Sequence, residues 1–446
     1  MAGLSPQKIA MLRTLVSASP DELVRTLEQA ISADGANGPL AAIGAMVEAE
    51  AVERSLRFAV LEPVVPLFRS HAPDGAPAWP RAALKAIWAA LNAESPDLIR
   101  AASDARHHIE PEDPSPEVFD QLCLQAADGL LAGRSPDYVA AAEACEAVRP
   151  GSLTEVILCL RMTPIVRPIC RQLSDWINRI TEERRAIARL AYRDATALAD
   201  GAGPMLFEML AAHLRHPETI LRIISAVMDH PGERYMAGSE LARFGERALE
   251  EVDTQLKLLR ASKPAAGIEA GRQAGLAVVR AVDAVGELEE SIQLSRSGEW
   301  GQRLTKLKQA LAGTVEGRLR EIDEAAAHAL PIQKLRYSAR LIRSAPKLTD
   351  PPDEPAVNWA LGLLTFAETV RSSAPDGGFG GVRTKVLETL GKRIDQYVED
   401  VLEQIRLGDV EDDERAREFL GVAASLLALV RDDRSASIVR RRAAAA

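Results

Sequence analysis

Aromatic side chains are scarce in this chain of 446 residues, where Phe, Trp and Tyr together make up 4%. Alanine and leucine supply most of the apolar content instead. Such side chains suit closely packed helices, whereas ligand pockets are lined mainly by hydrophobic and aromatic groups. The composition therefore counts against a large substrate cavity.

Long apolar runs and an excess of basic residues are also missing. No run approaches the roughly 18 consecutive apolar residues of a membrane-spanning helix. The first residues, Met-Ala-Gly-Leu-Ser-Pro, do not show the charged-then-apolar pattern of a secretion signal. The formal net charge of −10 argues against general nucleic-acid binding. We therefore expect a cytoplasmic protein with no transmembrane segment and no nucleic-acid partner.

Metal-binding patterns are absent as well. His213 and His216 stand three positions apart with Glu208 before them, but the two Glu-x-x-His pairs of di-metal bundles do not occur. The cysteines form no C-x-x-C pair and lie in apolar contexts, which favours buried thiols. We therefore expect no metal, no cofactor and no recognisable catalytic residue. The four cysteines are Cys123, Cys145, Cys159 and Cys170.

Helical periodicity is strongest in Ser239–Ala329, where three apolar runs are separated by two short breaks. Apolar residues recur there every three or four positions, as at Leu241, Phe244 and Ala248. That spacing predicts three long helices, each with one apolar stripe. The neighbouring helix of the same hairpin is the simplest cover for such a stripe, so we predict an antiparallel bundle.

The middle helix of this bundle carries glycine at a spacing of four: Gly267, Gly271 and Gly275. Residues four apart share a helix face. Glycine inside a helix costs about 1 kcal/mol relative to alanine, so three on one face need a structural reason. We interpret them as helix-packing glycines that admit another backbone; a hinge or a ligand groove is the alternative.

The N-terminal third is punctuated by Ser-Pro, including Ser95-Pro96, Ser115-Pro116 and Ser135-Pro136. Serine is a good N-cap and proline fits the first helical position, so each dipeptide predicts a helix start. Ser152 with Glu155 reads as a capping box. The even spacing of about twenty residues suggests an irregular, solenoid-like array of helix pairs.

The fold prediction is therefore all-α, an elongated array of helix pairs leading into an antiparallel long-helix bundle. We predict four segments: residues 1–150 (short-helix array), 151–235 (helical middle segment), 236–346 (long-helix bundle) and 347–446 (C-terminal helical segment with a frayed tail). Within them we expect one helix over about 170–199, a break or kink within Met162–Cys170 and a helix near 331–345.

Two stretches could bind ligands or partners. Arginine is dense between Arg161 and Arg193, partly offset by acids, and predicts either a solvated, salt-bridged face or a docking face for an acidic partner. The docking candidates are Arg167, Arg171, Arg179, Arg185 and Arg189. Gly377–Gly381, followed by Arg383 and Lys385, could approach a phosphate but lacks the G-K-[ST] ending of a P-loop, so a flexible loop is the simpler interpretation.

Helical arrays expose long faces and grooves, which suits protein–protein contact. We therefore expect a soluble scaffold, adaptor or regulatory protein with a protein partner rather than an enzyme; homo-oligomerisation stays open. The alternatives are an enzyme or small-molecule sensor with a pocket between bundle helices, and a peripheral membrane tether.

Overall fold

The computed structural model describes residues 11–12, 14–16, 19, 21–34, 39–70, 75–107, 113–228, 230–336 and 342–446. Within these ranges the backbone is dominated by helices, and the only sheet is a two-stranded hairpin. The predicted all-α class is confirmed. The chain divides into two compact units, Met1–Val227 and Met228–Ala446. The finer division into four segments stays a prediction.

The first unit is built from short helices. Two 3-10 turns, Val65–Leu67 and Pro217–Thr219, lie among them. In chain order the helices are α1 (Asp21–Asp34), α2 (Pro39–Val60), α3 (Arg81–Glu94), α4 (Pro96–Arg106), α5 (Glu117–Ala132), α6 (Pro136–Glu146), α7 (Ser152–Arg161), α8 (Thr163–Cys170), α9 (Leu173–Asn178), α10 (Glu182–Leu198), α11 (Ala202–Ala212) and α12 (Ile220–Val227).

The Ser-Pro dipeptides mark helix starts, but their serine hydroxyls do not cap the helices. Helices α4 and α6 begin at Pro96 and Pro136, as predicted, yet neither preceding serine accepts a hydrogen bond from the first turn. The fixed φ of proline is enough to start a helix at N1. The capping box predicted at Ser152 is wrong, because Gly151, with φ of +87°, occupies the N-cap and Ser152 lies inside α7.

One predicted helix is interrupted, and one predicted break lies before the proline expected to cause it. The helix expected over 170–199 is divided into α9 and α10, because Thr181 accepts a hydrogen bond from the amide of Arg184 over 3.3 Å and starts a new helix. The break predicted within Met162–Cys170 falls at Met162, where α7 ends, whereas Pro168 lies inside α8.

Arg167 ties three helices of the first unit together. Its side chain is buried at 1% exposure and its Nε donates to Asp120 Oδ1 of α5 over 2.7 Å. Its Nη1 and Nη2 donate to the carbonyls of Ala59 and Val60 at the end of α2, over 3.1 and 2.7 Å. A buried guanidinium must be paired in this way, because leaving it unpaired in the interior is costly.

The second unit contains longer helices and the hairpin. A short 3-10 turn, Pro264–Ala266, precedes α15. Its elements are α13 (Glu233–Ala237), α14 (Ala242–Ala261), α15 (Ile268–Ser291), α16 (Glu299–Ala329), β1 (Ile332–Arg336), β2 (Ile342–Pro346), α17 (Glu354–Thr369), α18 (Gly380–Leu407), α19 (Asp413–Val430) and α20 (Asp433–Ala445).

Helices α14, α15 and α16 are the three long helices that the periodicity predicts. Arg303 of α16 pairs with Glu246 of α14 over 2.8 Å, and Arg318 donates to the carbonyl of Ser262, just after α14, over 3.0 Å. Helices α14 and α16 therefore run in the same direction. Because short connections join all three, α15 runs in the opposite direction, and it packs mainly against α14 and α17.

The start of α16 is capped by a carboxylate that is distant in sequence. Glu233 is buried, and its two oxygens accept hydrogen bonds from the amides of Ser295 and Trp300, each over 2.8 Å. The carboxylate fits only because Gly298 has no side chain: a Cβ there would lie 2.1 Å from Glu233 Oε1. The negative charge satisfies orphan amides at the positive end of the helix dipole.

Two predictions for the second unit are wrong. The helix expected near 331–345 is the hairpin β1–β2, whose register pairs Ile332 with Pro346 and Arg336 with Ile342. Proline at each end limits the segment, since Pro346 cannot donate a helical hydrogen bond. The tail expected to be frayed is helix α20, because Asp432 caps it at Ser435 N and Arg442 forms two hydrogen bonds with Glu399 of α18.

Candidate functional site

The structure separates the five arginines predicted as docking candidates. Arg167 is buried in the pairing described above, so it is not part of an exposed face. Arg171 donates to the carbonyl of Asp113 in the loop before α5. Arg179 is exposed at the end of α9. Only Arg185 and Arg189 share a helix, α10.

Arg193 joins these two on α10. Arg185, Arg189 and Arg193 follow one another at a spacing of four, so they form one row along the helix, here called the arginine row. Arg185 pairs with Glu182 over 3.2 Å and Arg193 with Asp194 over 3.1 Å. Arg189 donates to the carbonyl of Ala226 over 3.3 Å, at the end of α12. The arginine row therefore sits beside the seam between α10 and α12.

Helix α10 buries its small apolar residues and exposes its large ones. Its buried positions are Ala188, Ala191 and Ala195. Its exposed large apolar residues form what we call the apolar stripe: Ile187 (41% exposed), Leu190 (46%) and Leu198 (50%).

The apolar stripe and the arginine row share the solvent side of α10. At about 100° per residue, the three stripe residues fall within a sector of about 80°, and Arg193 lies about 60° from Leu190. Ala186 and Ala197 are exposed between stripe and row. Glu183 and Asp194 lie within the stripe. The face thus carries the apolar stripe along one edge and Arg193 beside it, whereas Arg189 and Arg185 lie farther round the helix, about 100° and 140° from Leu190.

This arrangement suits the docking of another helix. Full burial of a leucine or isoleucine side chain contributes about 1.5–3 kcal/mol, so covering the exposed half of three contributes roughly 3 kcal/mol. The guanidinium groups add direction, because they favour acidic side chains on a bound surface and act most strongly on the rate of encounter. Single exposed apolar residues are ordinary on protein surfaces, but three on one helical stripe are less so.

Two of the three predicted glycines lie against another helix. A Cβ added at Gly271 would lie 1.9 Å from the carbonyl oxygen of Gly362 in α17. A Cβ at Gly275 would lie 2.5 Å from Thr369 Cβ. Gly267 differs from the expectation: it is the N-cap of α15, with φ of +111°, and a Cβ there would meet open space. Its role is conformational, since its backbone adopts a region that favours glycine.

Of the titratable groups singled out in the sequence, Cys123, Cys145 and Cys159 are buried, and Cys170 and His213 are half-buried. Burial raises the pKa of Cys145 to about 11, with a smaller contribution from Glu146. Burial likewise raises the pKa of Cys123, Cys159 and Cys170. Burial lowers the pKa of His213, and its Nε2 lies 3.5 Å from the carbonyl of Pro63, a contact that partly offsets the shift. The described residues include no group of three or more His, Cys, Asp or Glu placed to hold a metal ion.

The glycine-rich segment Gly377–Gly381 packs around an aromatic ring. Phe379 is fully buried, and a Cβ on Gly377 would lie 2.2 Å from that ring. Arg383, expected beside a phosphate at this loop, instead reaches the end of α17, where its Nε donates to the carbonyl of Ala367 over 2.7 Å. The segment is therefore a packed connection into α18.

A groove between the end of α15 and the start of α16 has a volume of 540 Å³. Ile292 and Leu304 form part of its wall, and Lys308 at its edge pairs with Glu289 over 2.6 Å. Arg296 is the third charged residue of the lining, and Glu289 is its one carboxylate.

Sequence reasoning identified the arginine-rich stretch but missed the apolar stripe. Two sets of residues in the sequence are compatible with a buried helix face. One set is Ile187, Leu190 and Leu198, and the other is Ala188, Ala191 and Ala195. Only packing against α11 and α12 shows that the alanines face inward. The alanines are the better aligned of the two sets along one helix face. Their small size is the signal in the sequence that could have identified the buried face and hence the exposed apolar stripe.

In the described part of the chain, no helix combines the length and apolar content needed to cross a membrane. Comparison of the chain with known protein families, curated proteins and solved structures gave no match.

Proposed function

We propose that this protein is a helical scaffold, adaptor or regulatory partner that acts through protein–protein contact, with the exposed face of α10 as a docking surface. The observation that carries the proposal is the apolar stripe beside the arginine row. A folded helix that buries alanine and leaves isoleucine and leucine in water forgoes hydrophobic stabilisation, which a bound partner would restore.

The face also indicates the chemistry of the partner. An amphipathic helix with apolar residues at every third or fourth position would cover Ile187, Leu190 and Leu198. Acidic side chains along one edge of that helix would meet the arginine row. A second copy of α10 laid antiparallel fits less well, because its own arginine row would face this one.

Site-specific photocrosslinking in the native host tests the contact. Benzoylphenylalanine at Leu190 is expected to capture a defined protein, which mass spectrometry then identifies. The matched control is the same residue at Leu131, whose side chain is 64% exposed on α5. Crosslinks that are absent at Leu190, or identical at both positions, would contradict docking on α10.

Charge reversal tests the arginine row. Arg193→Glu is expected to reduce the crosslink from Leu190, because it places a carboxylate opposite an acidic partner. Arg100→Glu is the matched control: Arg100 is 72% exposed and Arg193 is 74% exposed, and each has one surface ion pair. Equal effects of the two substitutions would show that net charge alone matters and that the row does not contact the partner.

A further inference from the structure

A cleft of 330 Å³ opens in the second unit between the end of α17, the first half of α18 and the end of α19. Its lining is mainly charged. The lining includes the carboxylates Glu368 and Glu388. Four cations also line it: Arg371, Arg383, Lys392 and Arg431. We call this cleft the cationic cleft.

Two of these guanidinium groups share one carboxylate. Arg383 Nη2 donates to Glu368 Oε2 over 3.0 Å, and Arg371 Nη1 donates to Glu368 Oε1 over 3.2 Å. Burial lowers the pKa of the Arg383 guanidinium; Glu368 offsets part of this shift and the nearby charge of Arg371 adds to it. Arg383 is 14% exposed and shares its carboxylate with a second cation, the exposed Arg371, so a further anion would stabilise this pair of cations.

The opposite wall is fixed by Arg431. Its Nη1 and Nη2 donate to the two oxygens of Asp395, over 3.1 and 2.6 Å. Its guanidinium lies against α18 at Gly391, where a Cβ would be 3.2 Å from Nε. Lys392, the next residue, is exposed, and no ion pair joins its ammonium to any other described residue. Its donors are available to a ligand.

The charges favour an anionic ligand. When Asp395 is included, the four cations face three carboxylates, which leaves a surplus of one positive charge. A phosphate group carries about 1.5–2 negative charges near neutral pH and has three strong acceptor oxygens. Arginine forks and lysine are its usual protein ligands. The cleft lies near the lower end of the roughly 300–1,000 Å³ range of ligand pockets, which suits a small molecule.

We propose that the cationic cleft binds a phosphate group carried by a small molecule. Arg383 and Arg431, held by carboxylates, form the fixed walls of the site. The exposed Lys392 and Arg371 supply the remaining donors that complete it. This site lies in the second unit and does not depend on docking at α10. A lipid headgroup offers the same chemistry, so the experiment separates the two sources.

Isothermal titration of the full chain with pyrophosphate at low ionic strength tests the proposal. The parent is expected to bind, and Lys392→Met to weaken binding about tenfold or more, as expected for loss of a charged hydrogen bond. Lys392→Gln, which keeps a polar side chain without the charge, should show a similar loss. Lys385→Met is the matched control, because Lys385 is exposed on the same helix outside the cleft; it should bind like the parent.

Sedimentation with vesicles containing phosphatidylglycerol is the second arm. Pyrophosphate binding that depends on Lys392, with no vesicle binding that depends on it, supports a free small molecule as the ligand. Vesicle binding lost in Lys392→Met, without pyrophosphate binding by the parent, would overturn the small-molecule assignment. Absence of Lys392-dependent binding in both arms, or equal losses in Lys392→Met and Lys385→Met, would overturn the site itself.

Discussion

Gly271→Ala adds one methyl group at the contact between α15 and α17. The new Cβ would lie 1.9 Å from the carbonyl oxygen, 2.7 Å from the carbonyl carbon and 3.1 Å from the Cα of Gly362. All three are backbone atoms of a helix, so no side chain can rotate away. Helix α17 must shift, and a shift disturbs its other contacts with α15 and α16.

The expected magnitude follows from two opposing terms. Overpacking of a close contact costs about 1–3 kcal/mol. Replacement of a helical glycine by alanine gains about 0.5–1 kcal/mol in helix propensity. Because the clashing atoms belong to the backbone, the overpacking term lies at its upper end, about 2–3 kcal/mol, and the net loss in the free energy of unfolding is about 1–2.5 kcal/mol. For a domain of 150–250 residues that corresponds to a fall of about 2–10 °C in the thermal midpoint.

Gly286→Ala is the matched control, because Gly286 lies on the same helix and a Cβ there would have no neighbour within 4 Å. Only the propensity term applies, so this substitution should raise the midpoint by about 1–4 °C. Far-UV circular dichroism during heating, with urea unfolding as a second measure, reports both variants. Shifts of the same sign in the two variants would refute the close approach of α17 at Gly271.

Three further predictions concern the first unit. Arg167→Met should lower the free energy of unfolding by about 3 kcal/mol, because the half-buried Asp120 and the carbonyls of Ala59 and Val60 lose their buried partner. The exposed pair of Arg161 with Asp128 predicts a loss below about 1 kcal/mol for Arg161→Met. Equal losses of the two variants in urea titrations would refute this. The lowered pKa of His213 means that the folded state stays neutral while the unfolded chain takes up a proton below about pH 6.5. Stability should therefore fall as pH drops below that value, and fall less in His213→Gln; identical pH profiles of the melting midpoint would contradict the assignment. Burial and raised thiol pKa values predict that Cys123, Cys145 and Cys159 react slowly with Ellman's reagent until guanidinium unfolds the chain; rapid release by the native protein would contradict their burial.

The long helices could be predicted because each run of apolar periodicity ends at a break in the sequence, so that both signals indicate the same helix boundaries. Helix α16 shows the advantage of length: its 31 residues repeat the pattern over many turns. Short elements were harder to predict. In 331–345 the apolar residues also recur at near-helical spacing, and proline at 331 is compatible with a helix start, so the local pattern did not distinguish a helix from the hairpin β1–β2.

The candidate sites depend on information that the sequence carries only weakly. Arg167 and Arg189 look alike in an arginine-rich stretch, but the first is buried by helices that lie far from it in sequence. The cationic cleft is another example, since Arg371 and Arg431 are sixty positions apart and meet only when α17, α18 and α19 pack. The glycine spacing was informative at Gly271 and Gly275 because close packing against another helix requires glycine at positions that share one helix face. Gly267 continues that spacing by coincidence, since it ends the preceding turn.

The carboxylate of Glu233 bears on how the chain can be divided for experiments. A fragment that starts at residue 236, where the periodicity places a segment boundary, would leave the first turn of α16 without its cap, although every residue of that helix would be present. It would also lose the short backbone pairing between Gly232 and Gln293. A fragment that starts at residue 228 keeps both. Residues 231–233 therefore act as part of the second unit even though they precede its first long helix. Fragments made by limited proteolysis or by design should keep these residues attached to α16.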